Sequence, residues 1–186
     1  MRIVRKKAFE TNSSSCHSLS YVKSDNPLRY IEEWKQECKL RKLVITLRGY
    51  YEQPNAYQVE DKLSYIFSDF LGGLEEEFVT TEHDDSCFNG GISQAYIDAF
   101  TSGAFSKHTT NKSALDNLIK SEPELVRLVG LLKKHGFELD FTVKGSGWIG
   151  VDHESQGLGR SIMNYTDDQI LEFLFNHNNY FELGVC

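Results

Sequence analysis

With 186 residues, 40% hydrophobic and 12% aromatic, the chain has enough apolar material for a single packed core, which excludes a wholly disordered polypeptide. Its 27 acidic against 20 basic residues leave a net charge of -7, which argues against broad nonspecific adhesion to DNA or anionic membrane, since both need clustered Lys and Arg. An apolar run of about 18 residues is missing, and the basic start MRIVRKK lacks the apolar stretch of a signal peptide, so no membrane partner is expected and the chain reads as cytoplasmic.

Met1 to Phe9 reads as a first strand and His17 to Val22 as a second, with the polar run between them forming the connection of an N-terminal hairpin or the path between two neighbouring strands. Asp25 or Asn26 then caps a helix with Pro27 at its first position, running to about Cys38 with Leu28, Ile31 and Trp34 on one face. Leu43 to Leu47 is a central strand of alternating, β-branched character, ended by Arg48-Gly49. From Tyr57 to Leu71, Val59, Leu63, Ile66, Phe67 and Phe70 recur at three and four, a helix closed by Gly72-Gly73.

The segment 74–91 changes character, with Glu75 to Glu77 and Glu82-His83-Asp84-Asp85, and reads as an exposed acidic excursion. Ile92 to Phe100 is expected to be helical, Ser102 to Lys112 a loop, and Leu115 to Ile119 the start of another helical patch. Ser121-Glu122-Pro123-Glu124 offers a capping box for a helix reaching His135 and stopped by Gly136. Phe137 to Val143 alternates as a half-buried strand, and Gly145-Ser146-Gly147 reads as a tight turn into Trp148 to Val151, which predicts a hairpin. A Gly-rich loop follows at Gln156 to Arg160. Thr166-Asp167-Asp168-Gln169 is a second capping box, opening a helix to the Asn-rich stop at Asn176, and Tyr180 to Val185 is a last, edge strand.

This pattern predicts one α+β domain over 1–186, with a mixed, mostly antiparallel sheet, hairpins at both ends of the chain and five or six helices. Cys16, Cys38, Cys87 and Cys186 lie far apart without a C-x-x-C pair, and so read as free thiols.

Two polar clusters carry the chemistry. The first is Glu10, Thr11, Asn12, Ser13, Ser14 and Ser15, followed by His17 and Ser18; the second is Asp152-His153-Glu154-Ser155, directly after a strand. Hydroxyls, an amide and turn backbone N–H groups are suited to surrounding a phosphate or carboxylate, so Glu10 to Ser15 and Ser155 are the candidate ligand-binding residues. His17 and His153 are candidate general acid and base, with Asp152 able to orient an imidazole. Such a pair points to a nucleotide or phosphoester ligand. A different pairing, His108-Thr109-Thr110 with His153-Glu154-Ser155, also fits a phosphoesterase. The sequence has no G-x-S-x-G elbow to select a nucleophilic serine. The histidine and carboxylate groups lack further ligands at recognisable spacing, so no metal is assigned, and the sequence names no cofactor.

The run R-x-x-x-F-E-T-N-S-S-S-x-H-S, Arg5 to Ser18, together with the later D-H-x-S element at Asp152 to Ser155, resembles a family of phage and prophage proteins. The resemblance implies a phage or mobile-element origin and that the two motifs belong to one site; it carries no activity over. Three functions are consistent with these features. One is a phage-encoded accessory protein whose polar pocket binds or processes a nucleotide or phosphoester. Another is an inhibitor of a host defence system or host enzyme, whose acidic surface occludes a host protein. The third is a structural module in which the polar network braces the fold.

Overall fold

The computed structural model describes residues 15–38, 41–50, 55–71, 74–75, 112–143, 148–151 and 157–185. The first strand, β1 (Ser15–Ser20), leads to α1 (Arg29–Glu37), β2 (Lys42–Leu47), β3 (Gly49–Tyr50), α2 (Val59–Phe70) and β4 (Leu74–Glu75). Beyond residue 111 come α3 (Lys112–Ser121), α4 (Pro123–Lys134), β5 (Glu138–Val143), β6 (Trp148–Val151), α5 (Leu158–Ile162), α6 (Asp167–Phe175) and β7 (Tyr180–Val185). The class is α+β. Among the described residues, no helix is long and apolar enough to cross a membrane.

The core is built around α2. Its apolar residues Val59, Leu63, Ile66, Phe67 and Phe70 are buried, as their spacing predicts, but so are Lys62, Ser64, Tyr65, Ser68 and Asp69. A helix buried all round must satisfy every polar side chain it carries, because an unpaired buried donor or acceptor costs about 1–3 kcal/mol. It does so by bonding the backbones of its neighbours. Ser64 and Ser68 accept from the Thr46 and Arg48 N–H groups at 2.8 and 3.3 Å, covering the edge of β2 that β5 does not pair. Lys62 Nζ donates to the carbonyls of Phe173, Leu174 and Asn176 at 2.9, 3.0 and 2.8 Å, closing the C-terminus of α6.

Burial pushes the Lys62 ammonium down to about 7. The three carbonyls act in the opposite sense: they match the three protons of an ammonium rather than the two of an amine, and the negative end of the α6 dipole favours a cation.

The described strands form three small sheets. β1 runs antiparallel to β7, with Ser15 opposite Val185 and Ser20 opposite Tyr180, so the two ends of the chain share a sheet. β2 and β5 are parallel, Lys42 facing Glu138 and Leu47 facing Val143. One residue beyond β2, β3 is parallel to β6, with Gly49 opposite Gly150 and Tyr50 opposite Val151, and β6 pairs β4 antiparallel on its other side. Parallel and antiparallel ladders are thus equally represented among the described strands.

The hairpin expected from Phe137 to Val151 is absent. β5 and β6 pair with successive stretches of the same preceding chain, β2 and then β3, and not with one another. The Gly-Ser-Gly signal is local, whereas the pairing is decided by apolar strand faces almost 100 residues apart, Leu43 and Ile45 meeting Leu139 and Phe141. The first strand, residues 1–9, and most of the acidic excursion, residues 76–91, lie outside the described residues, as does the helix expected at 92–100.

Local signals met different outcomes. The Thr166 box forms: the Gln169 N–H donates to Thr166 Oγ1 at 3.3 Å and the Thr166 N–H to Gln169 Oε1 at 3.0 Å. The box expected at Ser121 does not, because α3 continues through Ser121 and leaves Glu122 as the cap, with its carboxylate 3.4 Å from Arg160. Helix α1 begins at Arg29 rather than Pro27; Asn26 O instead accepts from Arg29 N in a turn, leaving Leu28 42% exposed and outside the core. Part of the Gly-rich loop is helical, as α5. Cys38 is a free thiol.

Two groups tie the remaining elements to α6. Trp34 of α1 meets Phe137 and Phe175 edge to face at 5.4 and 5.8 Å, while those two rings stack at 4.9 Å. The buried Glu172 carboxylate accepts from the Tyr21 hydroxyl and the Ser24 N–H.

Replacing Lys62 with Met keeps the volume and takes the shared donor away from three buried carbonyls, of which Asn176 O keeps the Asn179 N–H at 3.0 Å. The expected loss is about 3 kcal/mol, read as a lower urea midpoint with an unchanged m-value. Tyr21 supplies a pH test. Burial first, then the bond and charge of Glu172, raise its pKa above the usual 10.0. The folded state therefore holds a proton that the unfolded state releases, so this contribution is intact below pH 10 and is lost as pH rises beyond it. Urea unfolding on either side of that value should show wild type losing more stability than Tyr21→Phe.

Candidate functional site

Site formation begins with β1. In this strand His17 lies opposite Leu183 and Ser18 opposite Glu182, whose carboxylate accepts from the Ser18 hydroxyl at 2.9 Å. Alternation turns His17 toward α2. There the half-buried imidazole bonds through Nδ1 to the Tyr65 hydroxyl at 3.0 Å, with the two rings edge to face at 5.6 Å. Tyr65 is fixed from both sides, stacked on Phe181 of β7 at 4.2 Å and edge-on to Tyr50 of β3 at 5.2 Å. Both tyrosines are fully buried.

Tyr50 extends this chain of contacts to the other end of the sequence. It lies opposite Val151, the residue immediately before the Asp152-His153-Glu154-Ser155 cluster. His17, Tyr65, Tyr50 and Val151 thus form a continuous path from the N-terminal polar run to the threshold of the second motif. Asp152, His153 and Ser155 themselves lie outside the described residues, as do Glu10, Thr11, Asn12, Ser13 and Ser14; Ser15 opens β1. The acidic residues Glu76, Glu77 and Glu82 to Asp85 also fall outside, as does His108.

The chain beyond the second motif is anchored just as firmly. Gly157, at φ 84°, and Arg160 donate their backbone N–H groups to the buried Asp69 carboxylate at 2.9 and 3.1 Å. Burial raises the Asp69 pKa, and the backbone donors with Arg160 pull it back. A Cβ on Gly159 would stand 2.9 Å from Asp69 Oδ2 and 3.0 Å from Ile66 Cα, so only glycine permits this approach of α5 to α2. Arg160 lies over the Phe70 ring at 4.2 Å and donates to the Phe70 carbonyl at 3.1 Å. Residues 152–156 are therefore bounded by Val151 on a strand and by Gly157 on a helix-bound turn, both docked on α2 or its neighbours.

Three side chains of this site carried no motif: Tyr65, Tyr50 and Arg48. Arg48 lies between β2 and β3 with its guanidinium 4.6 Å over the Tyr50 ring. The only trace of them in the sequence is an arginine at the end of a strongly predicted strand and a tyrosine in the loop just beyond it, where chemistry is commonly mounted.

Elsewhere, a groove of about 400 Å³ lies between α3, α4 and β5, lined mainly by Ile119, Val126, Val129, Leu139 and Phe141, with Lys120 and Lys133 among its polar residues. It contains none of the candidate residues. Among the described residues, no three His, Cys, Asp or Glu side chains gather in a way that would hold a metal ion. Compared with family models, curated proteins and solved structures, the chain matches none.

The His17 contact is open to a direct test. Tyr65→Phe keeps the stack on Phe181 and removes only the hydroxyl, so the expected loss is about 1 kcal/mol in urea unfolding, against about 3–5 kcal/mol for Tyr65→Ala.

Proposed function

We propose that this chain is a phage-encoded accessory protein whose polar site, built from Glu10 to Ser18 and Asp152 to Ser155, binds or processes a nucleotide or phosphoester. The observation that supports it most directly is the path from His17 through Tyr65 and Tyr50 to Val151, which joins the strand carrying the first motif to the strand that delivers the second. In this reading the hydroxyls, the amide and the turn N–H groups hold the phosphoryl oxygens. His17 and His153 exchange protons with the ligand, and Asp152 orients an imidazole. The Tyr65 hydroxyl at Nδ1 fixes the orientation of the His17 ring.

A second reading rests on the same bond. His17 bonded to a buried tyrosine, which is itself stacked on β7, is also what a bracing network between β1, α2 and β7 requires.

A thermal-shift screen separates the two. Nucleoside monophosphates, cyclic nucleotides and inorganic phosphate are added to wild type, His17→Ala and His153→Ala, each with and without Mg²⁺. For the proposed function, a phosphate ligand at 100 times its Kd stabilises wild type by about 2.7 kcal/mol, and His153→Ala melts like wild type alone but loses the ligand shift. For the bracing network, His17→Ala melts lower and no ligand shifts any variant; that result would overturn the proposed function.

A further inference from the structure

Helix α4 carries two adjacent stripes. Leu125, Leu128, Leu131 and Leu132 are buried in the core. Beside them Val126, Val129, Gly130 and Lys133 recur at helical spacing, and all four line the groove of about 400 Å³ between α3, α4 and β5. Val126 is 46% exposed, and Gly130 is exposed as well. A solvated stripe is ordinarily filled with good helix formers, whereas valine is a poor one and glycine is the worst after proline. Nothing local calls for Gly130: its backbone is ordinary helix, and a Cβ placed there would meet no atom within 4 Å. What the missing side chain provides is room in the groove.

The opposite wall is core left partly uncovered. Leu139 and Phe141 of β5 share a sheet face with their register partners on β2, Leu43 and Ile45, which are completely buried; Leu139 and Phe141 are only half-buried and line the groove. Phe141 is held edge to face by Phe67 of α2 at 5.2 Å, so this wall is fixed. Ile119 of α3 closes the third side. Charge is distributed unevenly around this apolar space. Among the described lining residues, Asp140 is held by Lys42 at 3.0 Å. Lys120 and Asp116 stand one turn apart on α3, the spacing at which opposite charges offset each other. Lys133 has Val129 and Gly130 at the corresponding positions of its own helix and no ion pair among the described residues.

We propose that this groove binds a small amphipathic carboxylate, a linear aliphatic monoacid whose chain lies along Val126, Val129, Leu139 and Phe141 over Gly130 and whose carboxylate meets Lys133. Small-molecule sites occupy about 300–1,000 Å³ and are mostly apolar, with a few polar groups that fix orientation, and the groove has that size and make-up. One uncompensated cation matches one negative charge, and the Asp116 carboxylate on the same rim disfavours a polyanion such as a nucleotide. An uncharged chain would leave Lys133 unused, and an amine would meet it with like charge. None of the described lining residues belongs to either polar motif, so this site is independent of the nucleotide or phosphoester reading.

The test is titration calorimetry of hexanoate, octanoate and decanoate, with octanol and octylamine as neutral and cationic controls, into wild type, Gly130→Leu and Lys133→Gln. Wild type should bind octanoate more tightly than octanol or octylamine, and each added methylene should tighten binding by about fourfold. Gly130→Leu fills the groove, so octanoate and octanol should both weaken by about tenfold or more. Its ligand-free melting temperature should equal or exceed that of wild type, because leucine is the better helix former. Lys133→Gln should weaken octanoate by about twofold to fivefold and leave octanol unchanged. A wild type that binds none of the acids would overturn the site, as would an octanoate affinity unaltered in Gly130→Leu. Equal losses for octanoate and octanol in Lys133→Gln would overturn the carboxylate contact. A lowered melting temperature in Gly130→Leu would return the glycine to packing and overturn its role as room for a ligand. A concentration-dependent dimer of wild type in sedimentation, abolished by Gly130→Leu, would assign the groove to a second copy of the chain and overturn the small ligand.

Discussion

The structure depends on one helix that has no solvent face. From Lys62 to Phe70 every residue of α2 is buried, and five of the nine carry polar side chains. Apolar residues alone would have given a simpler core. Instead, each polar group reaches a neighbour: Lys62 to the end of α6, Ser64 and Ser68 to the edge of β2, Tyr65 to His17 of β1, Asp69 to the turn that opens α5. Such bonds add little net stability each, about 1 kcal/mol, but breaking one costs more than making it contributes. They fix register and orientation, which non-directional apolar contacts do not, and so hold four otherwise separate pieces of chain against one axis.

That arrangement explains how a site can draw on both ends of the chain. β1 and β7 pair across 160 residues or more and β3 and β6 across about 100, yet both ladders reach α2, the first through His17 and Phe181 on Tyr65 and the second by direct packing. His17 is positioned by its bond to Tyr65 on this helix. The strand leading to Asp152 is positioned by Tyr50, which rests against the same tyrosine. Precision at a site of this kind comes from its supporting side chains, and here those supports are aromatic rings locked between two sheets.

Signals with a short range were legible in the sequence. The Thr166 box, the alternation of β2, the strand at β5 and the apolar stripe of α2 each depend on residues within a few positions, and each is found. What was not legible depends on distant partners. The three-and-four spacing identified the apolar half of α2 but not the burial of Lys62 or Asp69, because nothing nearby shows that α6 will bring three carbonyls or α5 two N–H groups. The turn signal at Gly145 to Gly147 was outweighed by strand faces that lie far back in the chain. For the site, His17 stood out by its polar surroundings. Tyr65 and Tyr50 did not, since a tyrosine inside a predicted helix reads as ordinary core and one just beyond a strand as loop.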